Sequence, residues 1–267
     1  MKKFILIIVV CLTTGCTIDL LGLFGSSDVD LRFMESREMG EIPDIVGLPD
    51  EFSFIIIADL HIRGSNRNMT LLKDKITDND RFVLLAGDLT QCGYEEDFIT
   101  LTNYERELGI PFYYTLGNHD VYFGGWEYAK RIIGQSSYTF AAGNLRIISI
   151  DSANGTLGAL QLQWLENVLD KMTEDYCLIF THFHFFNSHL LEFQQYTDIE
   201  EIYYLMHLFE RSGVDWVVMG HSHKHDARLV NGVLYLVSDA FVDKGRGGKY
   251  IRATFGENGL SYKVLEL

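Results

Sequence analysis

From Glu51 onward the chain breaks into short continuous apolar runs: Phe52–Ala58, Phe82–Ala86, Phe112–Leu116, Leu145–Ile150, Cys177–Thr181 and Val214–Met219. Runs that do not alternate with polar residues predict strands buried on both faces. Segments with helical spacing lie between them, at Met69–Ile76, Glu95–Leu108, Leu160–Met172 and Ile199–Arg211. Strands alternating with helices predict an α/β domain. The tail carries strand-like pieces around Asn231-Gly232 and Asn258-Gly259, dipeptides that favour tight hairpin turns. Residues 17–50 show no sustained period and contain Gly22, Gly25, Pro43 and Pro49, so they read as a tether leading into a domain over 51–267.

The first residues belong to a different pattern. Met1-Lys-Lys3 is basic, Phe4 to Leu12 is apolar, and Thr13-Thr-Gly-Cys16 follows. Nine apolar residues rise only about 14 Å as a helix, against a bilayer core of roughly 30 Å. The segment is too short to span and fits the apolar part of a secretion signal over residues 1–15. The Gly15-Cys16 junction resembles a bacterial lipoprotein signal, which implies lipidation of Cys16 and attachment to the membrane of the cell envelope. Thr13 departs from that pattern, which places Leu three residues before the cysteine. A plain cleaved signal or an uncleaved anchor is the alternative.

Composition narrows the partners. A hydrophobic fraction of 47% is ample for a core. Without Lys2 and Lys3, 20 basic residues face 37 acidic ones, a formal charge of −17. Such a surface repels polyanions and excludes DNA or RNA as a bulk partner. Of the four cysteines, Cys11 lies in the signal and Cys16 at its junction, leaving Cys92 and Cys177. If their strands run parallel in one sheet, these positions lie roughly 15 Å apart, beyond disulfide reach. Two free thiols are expected.

The chemistry sits where the apolar runs end. Five of the six, all but Leu145–Ile150, are followed in turn by Asp59-Leu-His61, Gly87-Asp88, Gly117-Asn-His-Asp120, His182 and Gly220-His-Ser-His223. In α/β sheets, ligands bind at the carboxyl ends of strands. Five strand ends delivering Asp, Asn or His, without basic residues, predict a crevice that binds cations. Imidazole and carboxylate together suit Mn, Fe or Zn ions. Two such ions about 3.5–4 Å apart could share one carboxylate, polarise a phosphate and generate a nucleophile from water. An extended Gly-His-Ser-His segment would send both rings to one side.

In this order the motifs resemble the calcineurin-like metallophosphoesterases, and "IISIDS" with "GALQLQWLENVL" resembles the strand and helix preceding that family's single-histidine motif. The resemblance covers about residues 52–240. It implies a single-domain, four-layer α/β/β/α sandwich holding two metal ions. Carried over, Asp59, His61, Asp88 and His223 would hold the first metal, and Asp88, Asn118, His182 and His221 the second, with Asp88 bridging. His119 would serve the leaving oxygen as a proton donor while Asp120 orients its ring. The implied reaction is hydrolysis of a phosphoester in a small phosphorylated substrate by a metal-bridging hydroxide. The compact form resembles the class III cyclic-nucleotide-phosphodiesterase-like branch, which favours diesters. Phosphomonoesters and nucleotide pyrophosphates are the alternatives, as is a non-catalytic, surface-anchored interaction lipoprotein. In "THFHFF", His184 competes with His182 as ligand, and His182 is preferred as the first off its strand. Arg63 is a candidate phosphate contact. Thr90 and Gln91 receive no role.

Overall fold

The computed structural model describes residues 28–186, 196–245 and 247–267. The signal, Cys16 and the first part of the expected tether lie outside the described residues. Two sheets dominate. The first has order β11-β10-β1-β2-β3, from β1 (Phe52–Ile57), β2 (Asp80–Ala86), β3 (Phe112–Thr115), β10 (Lys249–Gly256) and β11 (Gly259–Glu266). The second has order β4-β5-β6-β7-β9-β8, from β4 (Tyr138–Ala142), β5 (Leu145–Ser149), β6 (Tyr176–Phe180), β7 (Trp216–Met219), β8 (Asp226–Val230) and β9 (Val233–Val237). The motif-bearing strands run parallel within each sheet, while β10, β11, β4 and β8 are antiparallel additions.

Strand alternation explains the continuous apolar runs. Phe54 and Ile56 of β1 point between the sheets, packing with Phe140, Leu178, Phe180 and Val218. Ile55 and Ile57 point outward, onto Met69 and Leu72 of α2 (Arg67–Leu72) and Phe98 and Leu101 of α3 (Glu95–Leu108). The second sheet does the same. Ile148, Ile179 and Val217 meet Leu165 of α5 (Gly158–Asp170) and Leu205 and Phe209 of α6 (Ile199–Arg211). Three apolar layers between four structural layers make the α/β/β/α sandwich. Cys92 and Cys177 are free thiols, although Cys92 lies in the loop after β2 of the first sheet and Cys177 in β6 of the second, not along one sheet.

The tether reading fails from residue 28. Helix α1 (Asp28–Glu38) packs against α5 and buries Arg32, Phe33 and Ser36. Arg32 reaches Asp151 with Nε–Oδ2 at 2.7 Å and Nη2–Oδ1 at 3.0 Å, both side chains buried. Ser36 Oγ accepts from the backbone N–H groups of Ser136 and Ser137. Two of the three buried residues are polar, so an apolar period could not reveal the helix. Besides Arg32, Asp151 Oδ1 accepts from the backbone N–H of Ala153 at 3.0 Å.

That ion pair carries a stability prediction. Burial pushes the Asp151 carboxyl up, and the Arg32 guanidinium outweighs it, holding the group below its ordinary range. A depressed carboxyl contributes stability above its unfolded pKa and loses it as pH falls through the folded value. Arg32→Met leaves Asp151 buried without its counter-ion and should lower unfolding free energy by about 3–5 kcal/mol in urea titration at neutral pH. Acid unfolding of the wild type should narrow that difference. An unchanged denaturation midpoint would show that α1 contributes little.

Candidate metal centre

The carboxyl ends of β1, β2 and β3 from one sheet meet those of β6 and β7 from the other at one edge of the sandwich. There the side chains form two overlapping groups, Asp59, His61, Asp88 and His223, and Asp88, His182 and His221, each with its ligand atoms within 4.8 Å of one another. Asp88 belongs to both. His61 Nε2 lies 3.1 Å from His223 Nε2 and 3.5 Å from Asp88 Oδ2. His182 Nε2 lies 3.1 Å from His221 Nδ1, 3.4 Å from Asp88 Oδ2 and 3.3 Å from Asn118 Oδ1.

Local backbone geometry makes this possible. Asp59, His61, Asp88, His221 and His223 all have left-handed φ, from 45° to 69°. Asp and His tolerate that region better than most residues, but each such residue stores about 1–3 kcal/mol of strain. The Gly220-His-Ser-His segment is therefore not extended, as the sequence suggested. Both histidines sit in tight reversals. Glycines precede the ligands for two reasons. Gly87 has φ 80°, and a Cβ there would meet the His182 ring at 2.6 Å. Gly117 has an ordinary φ, but its Cβ would collide with the Asp88 carboxylate.

Outer partners fix the rings. His182 Nδ1 donates to Ala86 O at 2.9 Å, which aims Nε2 at the cluster. Asp59 accepts from the His221 N–H through both oxygens, and Asp88 Oδ1 accepts from the His119 N–H at 2.9 Å. Ser152 Oγ accepts from the backbone N–H groups of His182 and Phe183. His225 turns away, with Nδ1 on Val237 O at 2.8 Å, so the histidine run contributes two residues to the cluster and one to the hairpin beside it.

His119 and Asp120 are arranged differently from the expectation. The Asp120 carboxylate accepts from the N–H groups of Leu89, Thr90 and Gly117 and from Thr90 Oγ1. It stitches two loops together and its oxygens are occupied there. The His119 ring is held instead by Gln91, whose carbonyl accepts from Nδ1 at 2.7 Å, leaving Nε2 facing Asp88 Oδ2 at 4.0 Å. Thr90 and Gln91, without a role in the sequence reading, are the residues that position this loop pair. A backbone carbonyl leaves no side-chain signature, so no motif could have named Gln91.

Two further candidates stand outside both groups. His184 is buried with its Nε2 lacking a hydrogen-bond partner, and its ring lies 6.1 Å from that of His221. Arg63 is exposed on the loop beyond Ile62, where the Asp97 carboxylate feels its charge.

The donor set fits metal ions. Asp59 and Asp88 are 0% and 1% exposed, and among the described residues their ion-pair partners are all histidines. Buried carboxylates without a fixed cation are costly. Burial alone would lower His182, yet Asp88 beside it raises it to about 9. His61 is instead pushed down to about 4 by burial, keeping a neutral ring available as a ligand. Burial and the charge of Asp88 raise Asp120 to about 7. The cluster draws positive charge, which bound divalent cations would supply.

Known proteins complete the picture. Residues 52–225 match the calcineurin-like phosphoesterase family. A 3′,5′-cyclic-nucleotide phosphodiesterase of Nostoc sp. is 26% identical over 58% of this chain and 60% of its own length. A protein of Arcobacter nitrofigilis named "Probable glycerophosphodiester phosphodiesterase GpdQ" is 26% identical over 47% of this chain and 55% of its own. The chain thus spans less than two thirds of either relative. A dimetal phosphatase from Danio rerio shares the fold with a TM-score of 0.60 at 13% identity, over 80% of this chain and 95% of that one. The match extends over more than half of the sequence and contains every residue of the cluster: the chain belongs to the calcineurin-like phosphoesterase family.

Proposed function

We propose that this chain is a binuclear metal-dependent phosphoesterase, with phosphodiesters its favoured substrates, anchored at the cell envelope. The observation that carries the catalytic reading is the pair of ligand groups sharing Asp88. Asp59, His61, Asp88 and His223 would hold one ion, and Asp88, His182, His221 and the Asn118 Oδ1 the other. When bound, such ions supply Lewis acidity toward a phosphoryl oxygen and a nucleophile from water near neutral pH.

The chain's own residues do the rest. His119 keeps a proton on Nδ1, committed to Gln91 O, so the proton it can exchange is the one on Nε2. That nitrogen faces the cluster, where a departing alkoxide would need a donor. Asp120 keeps the two loops in register, and Ala86 O keeps His182 from rotating. The preference for diesters is supported by the names of both relatives. The envelope location is supported by the Gly15-Cys16 junction; among the described residues no helix is long and apolar enough to cross a membrane.

The test is a substrate panel on protein loaded with Mn²⁺, Fe²⁺ or Zn²⁺. About two ions per chain and fastest turnover of an aryl phosphodiester are expected. Preference for a monoester or a nucleotide pyrophosphate would overturn the diester assignment. No bound ion and no turnover with any metal would favour the interaction lipoprotein.

A further inference from the structure

Beyond the five ligand residues, two other described non-glycine residues have left-handed φ, Phe123 at 52° and Asn231 at 50°. Asn231 sits in the tight turn between β8 and β9, where Asn-Gly is the expected pair. Phe123 has no such reason. A bulky side chain in this region is strained, and Phe123 is also 78% exposed. It gains little burial in return for the strain. Stability alone does not account for it.

Its surroundings do. The Phe123 ring lies nearly parallel to that of Tyr94, with centroids 6.1 Å apart and planes 17° apart. Tyr122 lies between Phe123 and the metal centre, 6.4 Å from the Phe123 ring and 4.9 Å from the His119 ring. The Tyr122 hydroxyl accepts from Asn118 Nδ2 at 2.9 Å, which turns Asn118 Oδ1 toward His182. Tyr94 and Tyr122 are 46% and 41% exposed. The backbone beneath is tightly fitted: a Cβ on Gly93 would meet the carbonyls of Tyr122 and Asp120 at 2.7 and 2.8 Å. An aromatic ledge therefore runs from His119 outward over a closely packed pair of loops.

We propose that this ledge selects the substrate: Phe123, with Tyr94 and Tyr122, stacks against a planar aromatic substituent of the ester while the phosphoryl group occupies the metal centre. A flat ring, whether nucleobase or simple aryl group, gains face-to-face contact there, and a glycerol substituent cannot. The proposal rests on the phosphoesterase reading for the position of the phosphoryl group, and its test separates the two.

Phe123→Gly removes the ring and relieves the strained φ, so the variant should fold at least as well as the wild type. With metal-loaded protein, kcat/KM is measured for bis(p-nitrophenyl) phosphate, 3′,5′-cyclic AMP and glycerophosphoethanolamine. The ratio of each aromatic substrate to the glycerol diester should fall about tenfold in the variant, mainly through KM, as expected for the loss of one stacking contact. A fall for the nucleotide alone assigns the ledge to a nucleobase, and a fall for both assigns it to any planar ring. Unchanged ratios would overturn the proposal. Calorimetry supplies the independent arm, comparing phenyl phosphate and AMP with glycerol 3-phosphate. A preference for aromatic phosphates that Phe123→Gly abolishes, in a protein without turnover, would reject the hydrolase and keep the ledge. Equal affinities in the wild type would reject the ledge.

Discussion

Asp88→Asn should empty the metal centre and lower turnover of an aryl phosphodiester by roughly a thousandfold or more, about 4 kcal/mol of barrier. The substitution is nearly isosteric and keeps an oxygen that could accept from the His119 N–H. Its effect is therefore on charge. Asp88 is the member common to both ligand groups, so its carboxylate is the one negative charge that both ions would share. Against it stand the imidazoles of His182, His61 and His119, which hold its carboxyl below the usual range although burial pushes it upward. With an amide there, burial still disfavours protonation of His61 and His182, but the opposing attraction is reduced. Metal analysis after dialysis is the primary measurement, with far-UV circular dichroism to confirm the fold. Retention of both ions would contradict the shared-ligand assignment.

His119→Ala should have the opposite signature. The ring lies beside the ligand groups without belonging to either, so the metal content should match wild type while turnover drops about 10²–10⁴-fold. The leaving group supplies the sharper discrimination. A nitrophenolate leaves without a proton, whereas an alkoxide needs one. The loss should therefore be larger for a glycerol diester than for a nitrophenyl diester. Equal losses for both would remove the donor role from Nε2, and loss of metal would reassign His119 as a ligand.

Much of this molecule is legible in the sequence because its information is local. A strand buried on both faces announces itself as an apolar run, and glycine with Asp, Asn or His at its end marks the turn into the site. Helix limits at Glu95–Leu108 and Ile199–Arg211 follow from periodicity alone. Features built on other signals were not visible. Helix α1 is attached through Arg32 and Ser36, which an apolar period treats as solvent-facing. Helix α4 (Gly125–Ile132) starts from two glycines with no side-chain cap, and β4 is a five-residue edge strand. The support for His119 is a main-chain carbonyl, available from any residue type. The strain at the ligand positions is likewise a property of backbone angles. Motif spacing identified the side chains that assemble, whereas their orientation depended on contacts from loops far away in sequence.

The described ends of the chain also bear on what constitutes one folding unit. The motif-bearing region stops at 225, yet β10 hydrogen-bonds along β1 from Phe52↔Phe255 to Ile56↔Ile251 and sends Arg252 to Asp80 at the start of β2. A fragment cut at the motif limits would expose one whole edge of β1, the strand that delivers Asp59, as an open template for aggregation. Removing the residues before 52 would strip Arg32 from Asp151, next in sequence to the Ser152 hydroxyl that holds the backbone of His182. The folding unit is accordingly longer at both ends than the family match, since it takes in α1 before Phe52 and β10 and β11 after residue 225.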